Sequence, residues 1–328
     1  MTEDTTKPTP KKPAKKFLKQ PMMINVLAGL TPCVLGAVYF FGLRSLVMLA
    51  VCGAVGLVCE GAFTWRQEKP ITSAVLVSVF IYTLSLPPTT PFYVAIIGMA
   101  FGVVFGKMVF GGFGHNPFNP AMVGRCFVYL AFPIALTNQW VEPFSGFPGG
   151  FTRWSPPFPP DAVSTATPLD IFKNGGTFPV ERLFIGDIAG SYGETAAWLI
   201  LIGGLYIVYK KSANYRLALS CLLGGAVMSS ALWAAGVPNF PDPLSALLAG
   251  SFLFGAFFVV TEPVSGPKQK AAMWIYGFLI GALVMVIRRY SGWSAGVMWA
   301  TLIMNVFASL MDIGVKEFKE RKKAKAAV

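Results

Sequence analysis

Asp161 begins a run of small and hydroxyl-bearing residues that ends at Leu169 and could do chemistry. Ser164, Thr165 and Thr167 place three hydroxyls within four positions, beside alanines too small to shield them. A hydroxyl becomes a nucleophile once a base or a separate enzyme activates it, so it can carry a covalently attached group. The run predicts a place where a ligand is held or attached, with Asp161 as a further binding residue.

A second motif combines glycines with two Asn-Pro pairs and extends from Gly111 to Arg125. The glycines permit close approach of the backbone, and Asn116 and Asn119 begin turns while offering amide donors and acceptors. A flat, polar heterocycle would suit such a loop. A tight re-entrant turn that needs no ligand would explain it as well, so both interpretations stand.

Four carboxylates fall within or beside apolar stretches, where a charge is expensive to bury and usually functional. Glu60 and Glu262 are the candidates for a cation path, since Glu60 ends an apolar run and Glu262 stands in a Pro-rich break. Glu194 could simply favour a helix N-terminus. Asp312 precedes a basic tail and is expected to be structural.

The composition places these motifs in a membrane protein. Apolar residues make up 54% of the 328-residue chain, charged residues make up 13%, and the mean hydropathy is +0.59. A soluble domain carries about 25% charged residues. Runs long enough to span a bilayer recur along the chain, and it begins with a polar tail rather than a cleavable signal peptide. The expected fold is therefore an all-α polytopic membrane protein.

About ten transmembrane helices are expected, separated by charged, Pro-rich and Gly-rich breaks. The third is short for a complete crossing. The predicted spans are residues 22–42, 45–65, 71–86, 92–110, 118–136, 194–209, 214–236, 244–262, 270–288 and 293–313.

The distribution of Lys and Arg predicts the orientation of the chain. With the N-terminus in the cytoplasm, 21 of the 27 basic residues lie on the inner side, and the inverted topology would reverse this ratio. Both termini are therefore expected inside, and the loop of residues 137–193, which carries the hydroxyl run, outside. The net charge of +12 lies mainly in the two tails, where it suits anionic lipid and not nucleic acid.

The chain also has the pattern of an internal duplication. An odd number of spans, five, precedes the outer loop and five follow it, so the second half must be inverted relative to the first. Pro-rich breaks at residues 86–91 and 261–267 indicate a central site built from broken helices, with ordinary turns as the alternative. The expected regions are a basic N-terminal tail (1–21), a first five-helix repeat (22–136), the outer loop (137–193), a second five-helix repeat (194–313) and a basic C-terminal tail (314–328).

Several kinds of cofactor site are not supported by the residues. The five cysteines form no Cys-x-x-Cys pair and are expected to be buried thiols, with a cluster shared with a partner protein as the alternative. His115 is the only histidine, which excludes haem held by two histidines and a multi-histidine metal site within this chain, and no Ser-His-Asp triad is expected around it.

Three segments resemble a known family. Residues 107–125 are similar to a segment of the membrane subunit shared by the Rnf electron-transport complex (its D subunit) and the Na+-translocating NADH:quinone reductase (its B subunit). Residues 261–266 resemble the family's Thr-Asp-Pro-Val-Ser segment, with Glu262 in place of aspartate. Residues 164–167 resemble its flavin-attachment signature Ser-Gly-Ala-Thr, with Thr165 in place of glycine.

The resemblance covers residues 22–312 and implies a flavoprotein. The last threonine of the family's signature is esterified to the phosphate of FMN, and Thr167 occupies that position here. Attachment would need only a reachable hydroxyl and a separate transferase, because Thr167 is expected to have no adjacent general base to activate it. Chain length favours the Rnf type, whereas residues 124–127 favour the quinone-reductase type.

The resemblance also implies a mechanism. Electrons would reach FMN from an outer-face flavoprotein subunit and cross to a second flavin, expected to be riboflavin, near the cytoplasmic side. Asn116 and Asn119 are candidate cofactor-binding residues, and the residues that hold the second flavin are not identified by the sequence. A change in flavin charge would bias a cation site, so redox chemistry would be coupled to Na+ or H+ movement across the bacterial cytoplasmic (inner) membrane.

Two other classes of function compete with this interpretation. In a flavin-free transporter with an inverted repeat, Glu60 and Glu262 would be substrate-site groups. In an assembly scaffold, the chain would bind no cofactor and would only hold partner subunits together. A yellow, redox-active purified protein would reject the first of these.

Overall fold

The protein is almost entirely helical. The computed structural model describes residues 17–137, 139–156, 165–293 and 296–326. Asp161 and Ser164 of the hydroxyl run lie outside the described residues, and Thr165 and Thr167 lie within them.

Fourteen α-helices follow one another along the described part of the chain, and the longest stretch between two of them separates α6 from α7. They are α1 (Pro21–Phe41), α2 (Arg44–Arg66), α3 (Ala74–Leu84), α4 (Phe92–Val103), α5 (Pro120–Ala131), α6 (Pro133–Thr137), α7 (Pro168–Lys173), α8 (Val180–Ile185), α9 (Ala197–Tyr209), α10 (Tyr215–Ala234), α11 (Pro243–Leu248), α12 (Phe252–Phe254), α13 (Lys270–Tyr290) and α14 (Gly296–Ala326). π-helical turns continue α4 (Val104–Met108) and α12 (Gly255–Val259). A 3-10 turn covers Gly149–Thr152.

Within the described residues, five helices are long and apolar enough to cross a bilayer, namely α1, α2, α10, α13 and α14. Four shorter apolar helices accompany them, at Ala74–Leu84, Phe92–Met108, Pro120–Ala131 and Ala197–Tyr209. Large apolar side chains remain exposed on the long helices, for example Val58 and Leu310. Such a surface suits lipid, and it confirms the prediction of an all-α polytopic membrane protein.

Three predicted spans differ from the observed helices at their ends. Phe132 leaves the helical region of backbone conformation, as expected before a proline, so α5 ends at Ala131 and a short helix follows. The sixth predicted span, residues 194–209, corresponds to α9, which begins only at Ala197. The last continues to Ala326, because the Lys-, Glu- and Ala-rich segment beyond Asp312 consists of good helix formers.

Glycines let the long helices approach closely. A Cβ on Gly203 of α9 would lie 1.9 Å from the carbonyl oxygen of Gly29 in α1. On Gly124 of α5 it would lie 2.4 Å from the carbonyl oxygen of Gly98 in α4, and on Gly281 of α13 it would lie 2.0 Å from a carbonyl oxygen of α10. Small residues at helix crossings are typical of membrane bundles, where close van der Waals packing drives association.

An arginine side chain fills the first Pro-rich break. Arg44, at the start of α2, donates from Nη2 to the carbonyl oxygen of Thr90 at 2.7 Å and from Nη1 to that of Pro88. The hydroxyl of Tyr192 also donates to Pro88 O, at 3.0 Å. The carbonyl groups freed by this break are therefore satisfied within the protein.

A second arginine caps a break that the sequence did not predict. The predicted span 244–262 is interrupted between α11 and α12, where Ala249 is extended and Gly250 has φ +58. Arg288 of α13 donates to the carbonyl oxygens of Ala246 at 2.9 Å and of Ala249 at 3.0 Å. In both interrupted regions, an arginine guanidinium therefore donates hydrogen bonds to the backbone carbonyl oxygens of the break.

A short parallel strand pair joins the start of the chain to the α2–α3 connection. β1 (Phe17–Leu18) pairs with β2 (Ile71–Thr72), with Phe17 opposite Ile71. The backbone N–H of Gln20 donates to the Ser73 hydroxyl at 3.0 Å. This pairing holds Thr72 against the last turns of α2, where Glu60 lies.

Candidate functional site

Thr167 begins α7 as its N-cap residue. Its hydroxyl donates to Oδ2 of Asp170 at 2.6 Å, and the backbone N–H of Asp170 donates back to that hydroxyl at 3.3 Å. The N–H of Thr167 donates to the same carboxylate at 3.3 Å, which completes a capping box. The expectation that no base stands beside Thr167 is wrong, because the first helical turn brings a carboxylate to it from a residue three positions away.

The Thr167 side chain lies on the wall of a cavity of about 680 Å³, here called the Thr167 cavity. Its volume falls within the roughly 300–1,000 Å³ typical of small-molecule sites. The ends of α5, α6, α7 and the connection before α9 surround it. The residues with polar or aromatic side chains in its wall include Arg125, Tyr129, Trp140, Asn174, Ser191, Glu194 and Trp293.

A buried ion pair forms part of this wall. Arg125 Nη1 lies 2.7 Å from Glu194 Oε1, and both side chains are less than one-tenth exposed. Arg125 Nε and the Ser191 hydroxyl are buried with no hydrogen-bond partner among the described residues. Glu194 lies just before the N-terminus of α9, which begins at Ala197, and its carboxylate pairs with Arg125.

Aromatic rings lie at another part of the cavity. Trp293 stacks on Trp299 with ring centroids 4.5 Å apart, and the Tyr129 ring meets both edge-on. The backbone N–H of Thr165 donates to the carbonyl oxygen of Trp140 at 3.2 Å, which ties the hydroxyl run to this region. The cavity therefore combines hydrogen-bond donors with a flat apolar surface.

Two basic side chains, those of Lys173 and Arg288, lie near each other, and the carboxylate of Asp170 lies near Lys173. Burial lowers the pKa of Lys173, in the last turn of α7, while Asp170 opposes this shift and Arg288 adds to it. Lys173 Nζ also donates to the carbonyl oxygen of Ser291 at 3.3 Å. A further anionic group in the cavity would therefore meet positive as well as negative charge.

A second polar group, the Glu60 cluster, consists of Glu60, Thr72 and Lys107. Lys107 Nζ lies 2.6 Å from Glu60 Oε2 and donates to the Thr72 hydroxyl at 3.0 Å. The Thr72 hydroxyl and N–H donate to Glu60 Oε1 at 2.7 and 2.9 Å. All three residues are buried, so Glu60 is a charge-paired and fully hydrogen-bonded carboxylate.

Glu262 lies near this cluster and contacts the Asn-Pro motif. Asn116 Nδ2 donates to Glu262 Oε1 at 3.1 Å, and Ser265 donates its hydroxyl proton to Oε2. Lys107, Asn116 and Glu262 line one small cavity, here called the amide cavity, of about 30 Å³. The structure thus brings together the two segments that the sequence singled out separately.

Asn119 also lines the amide cavity. Its Oδ1 accepts from the N–H groups of Ala121 and Met122, so Asn119 caps α5 and its Nδ2 is turned the other way. That Nδ2 is buried without a partner among the described residues. Its chemistry suits a hydrogen-bond acceptor such as a flavin carbonyl, but a cavity of 30 Å³ has room for about one water and not for a flavin ring system.

Expectations from the sequence also concern Asp312, the cysteines and the other metal-binding side chains, whose contacts and burial the structure shows. Asp312 accepts from the N–H groups of Lys268 and Gln269 at 2.8 Å each, so it caps α13 and its structural role is confirmed. The five cysteines are free thiols, three of them buried and two half-buried. No group of three or more metal-binding side chains occurs within the described ranges.

Arg125, Lys107 and Asp170 are the candidate site residues that the sequence argument left without roles. A basic residue inside an apolar stretch is a signal that could have identified Arg125 and Lys107. Asp170 could have been found from the Thr-x-x-Asp spacing, which is a helix-capping signature.

Fold and site together define a polytopic membrane protein with buried ion pairs and a ligand-sized cavity next to a hydroxyl-rich motif. Comparison with known proteins makes the assignment specific. Residues 8–319 match the NQR2, RnfD, RnfE family, and the chain belongs to it.

Curated relatives match nearly the whole chain. The D subunit of the ion-translocating oxidoreductase complex of Yersinia enterocolitica is 32% identical over 320 residues, covering 89% of this chain and 91% of the relative. The protein of the same name from Pectobacterium carotovorum is 31% identical, covering 90% and 93%. That of Pseudomonas aeruginosa is 33% identical over 311 residues, covering 89% and 88%.

Proposed function

We propose that this chain is the membrane subunit of a redox-driven ion-translocating complex of the Rnf type, an oxidoreductase that acts as a translocase. Relatives named as the D subunit of an ion-translocating oxidoreductase complex match about nine-tenths of its length. The partners would be the other subunits of the complex, including an outer-face flavoprotein subunit, together with membrane lipid. Co-purification would test this proposal, since the subunits recovered with the tagged chain distinguish an Rnf complex from a quinone reductase.

Covalent FMN on Thr167 is the central element of the proposal. The observation that carries it is that Thr167 lines a 680 Å³ cavity whose lining residues Arg125 and Ser191 each have a buried polar atom without a hydrogen-bond partner among the described residues. Arg125 and Ser191 would hold polar groups of the cofactor, and Trp293 offers a flat surface to its ring. When bound, FMN would supply one- and two-electron transfer chemistry.

Fluorescence of the chain on a denaturing gel tests this assignment, because only a covalently held flavin survives denaturation. Wild type and Thr165→Ala are expected to fluoresce, and Thr167→Ala is expected to be dark. Fluorescence retained in Thr167→Ala but lost in Thr165→Ala would move the attachment to Thr165. Fluorescence absent from wild type would reject a covalent flavin.

The second flavin has weaker support. Asn116 and Asn119 supply amide groups of the right kind, but the amide cavity holds about one water. We therefore retain riboflavin as a proposed cofactor of the complex without assigning it to this cavity. Extraction of non-covalent flavin from purified wild type, followed by chromatography, would identify it.

Glu60 and Glu262 are the proposed cation-path residues, for Na+ or H+. Support comes from the burial of Glu60, from the half-buried position of Glu262, and from Lys107, which lies near both carboxylates. Glu60 already carries a counter-charge, so a cation could bind there only if Lys107 moved away. Redox-driven Na+ uptake into vesicles that contain the whole complex would be lost in Glu262→Gln and retained in an Asp312→Asn control.

The proposed topology has ten membrane crossings in two inverted halves, with both termini in the cytoplasm and the Thr167 loop outside. The short helices α3, α4, α5 and α9, and the interrupted segment from α11 to the second π-helical turn, would complete the set begun by the five long helices. The membrane would be the bacterial cytoplasmic membrane.

A flavin-free transporter is the second candidate function. It is favoured by the buried carboxylate of Glu60 and the half-buried carboxylate of Glu262, which line or adjoin a small polar cavity. The absorption spectrum of the purified chain decides between the candidates, since a flavin absorbs in the visible range and a transporter without cofactor does not.

A further inference from the structure

The hydrogen-bond geometry at Thr167 assigns a direction to each part of its hydroxyl. A hydroxyl has one proton and two acceptor lone pairs. The proton points to Asp170 Oδ2 at 2.6 Å, and one lone pair accepts the Asp170 N–H at 3.3 Å. Thr167 also lines the 680 Å³ cavity, and its hydroxyl oxygen keeps one lone pair that neither of these two hydrogen bonds uses.

This arrangement distinguishes Thr167 from Thr165, the other described hydroxyl of the run. The recorded contact of Thr165 is a backbone hydrogen bond from its N–H to Trp140 O at 3.2 Å. Thr167 is buried, whereas Thr165 is only half-buried. Of these two hydroxyls, that of Thr167 is the one bonded to a carboxylate three residues away.

We propose that Asp170 is the general base for attachment of FMN to Thr167. This inference rests on the proposed function and deepens it, since it names the group in this chain that activates the hydroxyl. A nucleophile and a base within about 2.6–3.2 Å form the arrangement that nucleophilic chemistry requires. The 2.6 Å contact meets this requirement before any partner enzyme binds.

The step balances with a phosphoanhydride of FMN, as in FAD, presented by a separate transferase. Thr167 Oγ attacks the phosphorus of the FMN half, and an O–P ester bond forms. The phosphoanhydride P–O bond breaks, and the other nucleotide half leaves as its monophosphate. The hydroxyl proton passes to Asp170 Oδ2, and no oxidation or reduction occurs.

Attachment then removes the proton that holds the capping box together. The phosphoester oxygen can no longer donate to Asp170, and an anionic phosphate lies beside the carboxylate once that carboxylate has released its proton. The N–H of Thr167, which also donates to Asp170 at 3.3 Å, is unaffected. Asp170 therefore serves attachment rather than retention of the flavin.

The experiment uses the full-length chain made without flavin, purified in detergent and mixed with a flavin transferase and FAD. The increase of covalent fluorescence on denaturing gels gives the rate for wild type, Asp170→Asn and Asp170→Glu. Asparagine is the matched change, because its side-chain oxygen still accepts from the Thr167 N–H and preserves the cap while the base is lost. Thermal unfolding of each variant reports whether the fold is preserved.

We expect Asp170→Asn to slow attachment by about 100-fold or more, the usual contribution of a general base. The dependence of its rate on FAD concentration should be unchanged, and the final labelled fraction should approach that of wild type. Asp170→Glu should recover part of the rate, because it restores a carboxylate. A defect that is only structural would instead lower the labelled fraction together with the unfolding temperature.

Two results would overturn the proposal, and they differ from each other. Labelling of Asp170→Asn at the wild-type rate, with the flavin mapped to Thr167, would reject the base and leave the proposed function intact. Wild-type chain that accepts no flavin at Thr167 would reject the proposed function and the base together.

Discussion

At the scale of single residues, two buried carboxylates among the described residues are each paired with a buried basic side chain. Lys107 serves Glu60, and Arg125 serves Glu194. An isolated charge in a low-dielectric interior raises the free energy of the folded protein. A charge pair that is buried within a membrane-spanning region is therefore expected to have a function as well as a structural role.

The Glu60–Lys107 pair predicts a strong coupling between the two side chains. Glu60→Gln or Lys107→Met alone should each lower the free energy of unfolding by about 3–5 kcal/mol, because the partner keeps an uncompensated buried charge. The double variant should be less destabilised than the sum of the two. Thermal unfolding of the detergent-solubilised protein measures the cycle, and purely additive effects would contradict the pairing.

At the scale of elements, the structure depends on close helix crossings and on arginines that fill helix breaks. The α10–α13 crossing has no room for a side chain at Gly281, where a Cβ would lie 2.0 Å from Cys221 O and 2.6 Å from Gly225 N. Both neighbours are backbone atoms, so only separation of the helices could relieve such a clash.

Gly281→Ala should therefore destabilise the protein by about 3 kcal/mol, at the upper end of the range for overpacking. Gly314→Ala is the matched control, because it lies in α14 with nothing within 4 Å of its Cβ position. The control should be neutral or stabilising by up to about 1 kcal/mol, as alanine favours a helix over glycine. Equal unfolding temperatures for the two variants would contradict the close contact between α10 and α13 at Gly281.

Arg288→Ala should destabilise the protein because it leaves the carbonyl oxygens of Ala246 and Ala249 without their donors. Two charge-assisted hydrogen bonds are worth about 1.5–3 kcal/mol each, so we expect a loss of about 3 kcal/mol or more. Arg289→Ala, one position away and with no recorded carbonyl contact of this kind, should have a smaller effect. A larger loss of unfolding free energy for Arg289→Ala than for Arg288→Ala would show that Arg288 does not stabilise the break between α11 and α12.

At the scale of the whole molecule, membrane topology decides which face carries Thr167. The proposed arrangement puts Phe147, which is 94% exposed, and the exposed Lys322 on opposite sides of the membrane. In a background without the native cysteines, a membrane-impermeant maleimide should label Phe147→Cys from the periplasmic side and Lys322→Cys only after lysis. Labelling of both from one side would contradict the topology.

Hydropathy was sufficient to predict the helical membrane fold, because a bilayer imposes long apolar runs. Helix ends were harder to predict. The break at Ala249 and Gly250 has no proline to mark it, and the helical continuation beyond Asp312 looked like a polar tail. Both depend on tertiary contacts or on helix propensity that hydropathy does not report.

The candidate site was predicted in part. The hydroxyl run and the Asn-Pro motif stand out by residue type, and Thr167 does line a cavity. The contacts of Arg125 with Glu194 and of Asn116 with Glu262 join residues 69 and 146 positions apart. Such pairings follow from the arrangement of helices in space, which a single sequence does not reveal.

Mass spectrometry of peptides from the wild-type chain tests the central claim most directly. Digestion of the purified protein should release a peptide containing Thr167 whose mass is increased by FMN less one water, with fragment ions that locate the addition at Thr167. The same peptide recovered only in unmodified form, from protein isolated with its complex, would contradict the account.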